Sequence, residues 1–126
     1  MPACSLYVHV PFCSSKCDYC AFYSIPAAPN KTKKLYINRL EREIHECAAV
    51  CGPLVSVFVG GGTPTALPVP LLRRLFQMIN AHFRIADDTE ITVEANPETL
   101  SRPTVNVLCE QGVNRVSMGV QSFSPD

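Results

Sequence analysis

Apolar residues recur along this chain at two periods, every second residue and every third or fourth, and the switches between them mark its elements. Leu6-Tyr7-Val8-His9-Val10 alternates, with Leu6, Val8 and Val10 on one face and Tyr7 and His9 on the other, and predicts a half-buried strand. After the breaker segment Ile25 to Asn30, residues Tyr36, Leu40, Ile44, Cys47 and Cys51 fall about one turn apart and predict a helix that Gly52-Pro53 stops. Leu54 to Gly60 alternates again, Val55, Val57 and Val59 against Ser56, Phe58 and Gly60. A second helix carries Leu72, Leu75, Phe76, Ile79 and Phe83, with Pro68 and Pro70 near its start. Glu90 to Ala95 sets Ile91, Val93 and Ala95 against Thr92 and Glu94, and Asn96-Pro97 breaks it. Ser101 caps a third helix with Pro103 in its first turn, Val105, Leu108 and Cys109 on one face and Gly112 at its exit. Arg115 to Gln121 is a fourth strand, Val116, Met118 and Val120 opposite Ser117, Gly119 and Gln121.

Strands alternating with helices predict an α/β fold with a parallel sheet and right-handed crossovers. One strand face is aliphatic and suits packing against helices. The opposite set (Tyr7, His9, Ser56, Phe58, Thr92, Glu94, Ser117, Gln121) is mixed and polar, as in a curved sheet lining a ligand cavity. The cysteine loop, the glycine run, Glu94 with Asn96, and Gln121 all lie at or just after strand C-termini, where barrel enzymes keep their sites. A complete barrel takes roughly 200 residues or more, so residues 1–126 are expected to be the N-terminal part of a longer protein.

Composition narrows the function classes. Lys plus Arg and Asp plus Glu are balanced at 11 each, so no overall field favours nucleic acid. No stretch approaches the roughly 18 apolar residues of a membrane span, and a cytoplasmic protein is expected. Seven cysteines is an odd count, and clustered cysteines in a cytosolic chain point to metal binding rather than disulfides.

Three of the seven, Cys13, Cys17 and Cys20, fall within eight residues as C-x-x-x-C-x-x-C. Three converging thiolates suit an iron-sulfur cluster that leaves one iron without a cysteine, free to bind substrate or cofactor. The alternative is zinc, whose sites more often pair two C-x-x-C units or add histidines. Cys47, Cys51 and Cys109 are expected on helix faces as small hydrophobes, with Cys4 in the lead-in. Gly60-Gly61-Gly62-Thr63-Pro64 is either a rim that lets backbone approach a ligand or a plain turn; it lacks the G-K-S/T ending of a nucleotide P-loop. Glu94 either meets a ligand or pairs with Arg115, and Gln121 occupies the equivalent face. His9 either assists a cofactor or is a satisfied interior histidine. Tyr19 and Phe22 sit against an adenine ring or in ordinary loop packing, and Lys31, Lys33 and Lys34 form a solvated helix start.

Tyr7 to Cys20, Gly60 to Pro64, Val93-Glu94-Ala95-Asn96-Pro97 and Asn114 to Phe123 together resemble the radical S-adenosylmethionine (SAM) superfamily, and within it the oxygen-independent coproporphyrinogen III oxidase-like group. The resemblance implies the N-terminal portion of a partial (β/α)6 TIM-like barrel. It implies a 4Fe-4S cluster on Cys13, Cys17 and Cys20, with SAM on the fourth iron and in contact with Tyr7, Tyr19, Phe22, Gly61, Gly62, Thr63, Glu94 and Gln121. It also implies a reducing electron donor and radical chemistry on a substrate. Oxidases of the group resemble C-x-x-x-C-x-x-C-x-C, and here Phe22 stands where their further cysteine would be. That departure is similar to the heme chaperone branch, with heme or porphyrin as ligand; the oxidase and a zinc-binding or structural domain are the alternatives.

Overall fold

A computed structural model describes residues 2–13, 25–26 and 28–118. The long strands are β1 (Cys4–Val10), β4 (Leu54–Gly61), β5 (Ile85–Ala95) and β6 (Arg115–Met118). They form one parallel sheet in the order β1-β4-β5-β6, so each new strand is added beside the previous one without reversal. The helices α1 (Asn30–Ala48), α2 (Val69–His82) and α3 (Arg102–Glu110) connect them, with α1 packed on α2 and α2 on α3. This single winding puts every strand C-terminus on one edge of the sheet. Two short strands that periodicity cannot register, β2 (Phe12–Cys13) and β3 (Ile25–Pro26), pair in parallel on either side of residues 14–24.

The core lies between sheet and helices. Val8, Val10, Val57, Val59, Ile91 and Val93 are buried from the sheet side, with Leu72, Leu75, Phe76 and Ile79 from α2. Each fully buried aliphatic or aromatic side chain contributes about 1.5–3 kcal/mol, so this layer dominates the stability of the unit. The surface ion pairs across the helix row, Arg74 with Glu41 at 3.0 Å and Arg73 with Glu110 at 3.1 Å, add little by comparison.

Several expected faces are corrected. Val55 is exposed and Leu54 buried, because the register shifts between Leu54 and Ser56 and inserts Val55 as an extra residue. β5 begins at Ile85 rather than Glu90. Its polar first half is held from outside: Thr89 Oγ1 donates to the Leu54 carbonyl at 3.1 Å, and Asn114 brackets Ile91 N–H and the Thr89 carbonyl, each at 2.8 Å. On α1 the buried stripe is Lys33, Ile37, Leu40 and Ile44; Cys47 is exposed and Cys51 lies beyond the helix end. Lys33 is therefore not part of a solvated helix start. On α3 the inward face is Thr104, Val107 and Leu108, leaving Val105 and Cys109 exposed. Val116 and Met118 are exposed on β6, the last strand of the sheet, and residues 119–121 of the expected strand lie outside the described residues.

The ends of α3 follow the expected chemistry. Ser101 Oγ accepts from Thr104 N–H at 3.3 Å. At the exit, Val113 N–H bonds the Leu108 carbonyl at 2.9 Å and Gly112 N–H the Cys109 carbonyl at 3.2 Å, with Gly112 at φ 88°. A Cβ on Gly112 would meet only Ile91 Cδ1 at 3.9 Å, so the space is open and the backbone angle is the whole cost. Gly112→Ala is expected to lower unfolding free energy by about 1–2 kcal/mol with an unchanged denaturant m value, read from equilibrium urea curves.

Candidate functional site

Among the described residues, Cys13, Gly61, Gly62, Thr63 and Glu94, all singled out by motif, meet where β1, β4 and β5 end. Past Val10 the chain continues through buried Pro11 into β2 and stays zipped to the end of β4: Gly62 N–H donates to the Val10 carbonyl at 2.8 Å and Thr63 N–H to the Phe12 carbonyl at 2.7 Å. This contact fixes Cys13, whose buried, unpaired thiol lies against the glycine run.

The three glycines answer three different demands. A Cβ on Gly62 would stand 2.5 Å from the Phe12 carbonyl oxygen and 2.9 Å from Cys13 Sγ. Gly61 has φ 113°, and a Cβ there would stand 2.7 Å from the Val10 carbonyl oxygen. At Gly60 a Cβ would collide with the Glu94 carboxylate and come within 2.7 Å of the Phe58 ring. The run is therefore a close approach of protein to protein, and its amides are already used. Gly61 N–H donates to Glu94 Oε1 at 2.9 Å, Gly62 N–H to Val10 and Thr63 N–H to Phe12.

Glu94 reaches Gly61 because Val93 is in register with Val59, which sets Glu94 beside Gly60 on the face away from the helices. The expected alternative, an ion pair with Arg115, does not form: Arg115 pairs with Glu90 at 3.7 Å. Tyr7 and Phe58 stack on the same face with centroids 5.9 Å apart and planes 18° from parallel, and Tyr7 Oη lies 3.0 Å from His9 Nδ1. Burial and then the Glu94 charge push the Tyr7 hydroxyl above its ordinary value, so this face offers a neutral phenol beside a carboxylate. One ring nitrogen of the half-buried His9 thus has a partner in Tyr7.

Behind β1, the Tyr36 hydroxyl donates to the His9 carbonyl and its ring meets Phe12 edge-on at 5.3 Å, tying α1 to the strand that leads into the cysteine loop. Burial, followed by the nearby Glu43 and Tyr7, pushes Tyr36 up to about 12. On the rim, Asn96 Nδ2 donates to Thr63 Oγ1 at 3.4 Å, and the Thr65 and Thr99 hydroxyls lie 2.5 Å apart. Sequence reasoning placed Tyr36 on the stripe of the first helix but gave it no part in the site, and it singled out neither Thr65 nor Thr99; the cap-forming string Asn96-Pro97-Glu98-Thr99 was the available signal for the last.

Five predicted site residues, Cys13, Gly61, Gly62, Thr63 and Glu94, are thus brought together, with Tyr7 on the adjoining face. Cys17, Tyr19, Cys20, Phe22 and Gln121 lie outside the described residues. Among the described residues no three metal-ligating side chains cluster, and Cys13 is the one member of its triad included. Of the three cysteines expected on helix faces as small hydrophobes, Cys47 and Cys109 are on helices but exposed, and Cys51 lies beyond the end of α1. A cavity of about 500 Å³ opens at the opposite end, between the exit of α1 and the end of α2, against Cys51, His82 and Arg84.

The sequence model of the radical SAM superfamily matches residues 7–126. This chain belongs to the radical SAM superfamily. It is 43% identical to the heme chaperone HemW of Bacillus subtilis over 97% of this chain and 33% of that protein. It is 36% identical to the oxygen-independent coproporphyrinogen III oxidase of Escherichia coli over 97% of this chain and 27% of that one. The solved structure of coproporphyrinogen III oxidase (HemN) from Escherichia coli, described as a radical SAM enzyme, superposes with a TM-score of 0.90 at 34% identity, over 97% of this chain and 29% of that one. The chain spans about a third of the length of the curated relatives it matches. The parallel, singly wound sheet is accordingly that of a partial TIM-like radical SAM barrel. Membership carries a 4Fe-4S cluster and SAM in general. The described residues fit such a pair: a buried free thiol sits against a side-chain-free backbone, and a carboxylate lies one strand away. Among the described residues no helix is long and apolar enough to cross a membrane.

Two outcomes follow from this geometry. Gly62→Ala must displace a backbone carbonyl and Cys13, and is expected to lower unfolding free energy by about 1–3 kcal/mol in denaturant titrations. Tyr36 keeps its proton in the folded state up to about 12, against 10.0 for the ordinary group, so the folded chain binds more protons in that interval. Its contribution is full below the lower value and lost as pH rises through the upper one. Tyr36→Phe is expected to flatten the fall in stability across that alkaline window, measured by urea unfolding at successive pH values.

Proposed function

We propose that Cys13, Cys17 and Cys20 hold a 4Fe-4S cluster, that SAM lies against Tyr7, Tyr19, Phe22, Gly61, Gly62, Thr63, Glu94 and Gln121, and that the intact protein is a heme chaperone of the radical SAM type. In this reading residues 1–126 are the N-terminal part of its barrel, heme or porphyrin is the ligand, a reducing donor supplies electrons and the compartment is the cytoplasm. The observation that carries it is the meeting of Cys13 with Gly62 and of Glu94 with Gly61 on one edge of the sheet. HemW relatives and the place of Phe22, where a fourth cysteine would mark an oxidase, favour the chaperone.

When bound, the cluster and SAM supply one-electron chemistry. The chain's own residues bind and orient. β2 and the Thr63–Phe12 hydrogen bond hold Cys13 in place, so its thiolate does not have to be ordered when iron arrives. Glu94 uses Oε1 on Gly61 N–H and, having acceptor sites to spare, would accept hydrogen bonds from the ribose hydroxyls of SAM. The Tyr7–Phe58 stack and the side-chain-free strip beside it give a flat, partly apolar wall that excludes water from one side of the ligand.

The test is anaerobic reconstitution of the intact protein. We expect broad visible iron-sulfur absorption with about four irons per chain, lost in Cys13→Ala, together with SAM binding, tight heme binding and no decarboxylation of coproporphyrinogen III. Retained zinc without iron-sulfur absorption would sink the cluster assignment. Turnover of coproporphyrinogen III, with heme bound no better than by an unrelated protein, would move the protein to the oxidase class.

A further inference from the structure

Thr99 stands where two rim segments meet. Its hydroxyl lies 2.5 Å from that of Thr65, in the turn after β4, and 3.0 Å from the Asn96 carbonyl, in the turn after β5; Asn96 N–H reaches it at 3.4 Å. A hydroxyl has one proton to donate and two lone pairs to fill. Asn96 N–H fills one lone pair; the Thr99 proton goes to the Asn96 carbonyl while the Thr65 hydroxyl donates to the other lone pair, or it goes to Thr65 Oγ1. Asn96 Oδ1 is a further acceptor in reach at 3.2 Å, and Thr99 N–H is shared between it and the Asn96 carbonyl, at 3.2 and 3.1 Å. Whichever hydroxyl donates, Thr99 links Thr65 to Asn96.

Asn96 is fixed at both ends by this. With Oδ1 on Thr99 N–H at 3.2 Å, its Nδ2 is left to donate to Thr63 Oγ1 at 3.4 Å. Thr63 follows the glycine run directly, and Thr63 and Thr65 are 7% and 4% exposed, so water competes little for these bonds. Since Asn96 donates to Thr63, the Thr63 hydroxyl proton is kept for an acceptor. The capping box of Asn96 and Thr99 is complete without Thr65, so the contact to Thr65 is not explained by the cap.

We infer that Thr99 is a positioning residue for the SAM site: through Thr65 and Asn96 it locks the segment 61–65 to the segment 96–99 and presents the Thr63 hydroxyl as a donor to a carboxylate or hydroxyl oxygen of the ligand. This rests on the reading of Gly61, Gly62 and Thr63 as SAM contacts.

The experiment measures SAM dissociation constants by calorimetry on the intact, cluster-loaded protein, with iron content and thermal midpoint recorded on the same samples. Thr99→Val, which keeps shape and removes the hydroxyl, is expected to weaken SAM binding roughly tenfold at unchanged iron content. Thr65→Val is expected to act in the same direction, and Thr99→Ser to restore wild-type affinity. Wild-type affinity in Thr99→Val overturns the inference. So does a Thr99→Ser protein no better than Thr99→Val, or a loss of iron and thermal midpoint in step with affinity, which would mark a merely structural role. Wild-type protein that binds the cluster but no SAM would remove the underlying reading and the inference with it.

Discussion

The distance between the ends of β1, β4 and β5 is set by three residues with no side chains. Gly60 leaves room for the Glu94 carboxylate from β5, Gly61 turns the chain at φ 113° against Val10, and Gly62 lets Phe12 and Cys13 of β2 lie directly on the backbone. Any Cβ in this strip would push apart elements that are otherwise hydrogen-bonded at 2.7 to 2.9 Å. The position of the cysteine thiol relative to the carboxylate is therefore a property of the backbone, and the packed layer of α1 and α2 behind it holds that backbone still.

The same strip decides the electrostatics. Glu94 carries its charge on a half-buried face, where a carboxylate needs compensation. A peptide N–H supplies part of it, while Arg115 is drawn off to Glu90 on the more exposed part of the sheet. The site keeps an anionic group with acceptor capacity left over and a phenol that stays protonated next to it. A cation in contact with Glu94 would have consumed that capacity.

Most of this was legible in the sequence because alternation and turn residues are local. β1, the second half of β5, the α2 stripe and both ends of α3 follow from periodicity, proline and glycine positions and a serine cap. The failures are where a non-local contact overrides the local signal. Val55 reads as an inward residue until a register shift against β1 makes it the extra one. Asp87-Asp88-Thr89 reads as loop, yet Thr89 and Asn114 pin that stretch into β5 with bonds from residues 35 and 25 positions apart in the chain. Val105 and Val107 lie about 200° apart on α3, so one faces out when the other faces in, and which of them is buried is set by how the helix packs. At the site, the sequence left the glycine run either a rim for a ligand or a plain turn; that it also makes room for Glu94, Val10 and Cys13 is visible only once β5, β1 and β2 are in place.

That packing bears on how the site recognises a ligand. A nucleotide P-loop cradles phosphate because its glycine-rich backbone presents free N–H groups. Here the absence of the G-K-S/T ending has a structural counterpart, since the amides of Gly61, Gly62 and Thr63 already donate to Glu94, Val10 and Phe12. A glycine run with its donors spent is no anion cradle. In the proposed reading, recognition then rests largely on side chains that the run has positioned, Glu94 as acceptor and Thr63 as donor, and on the thiol held at its far end. Glycine is required at three consecutive places because three different strands must be satisfied at once, and the motif carries chemistry only because β5 and β2 arrive on either side of it.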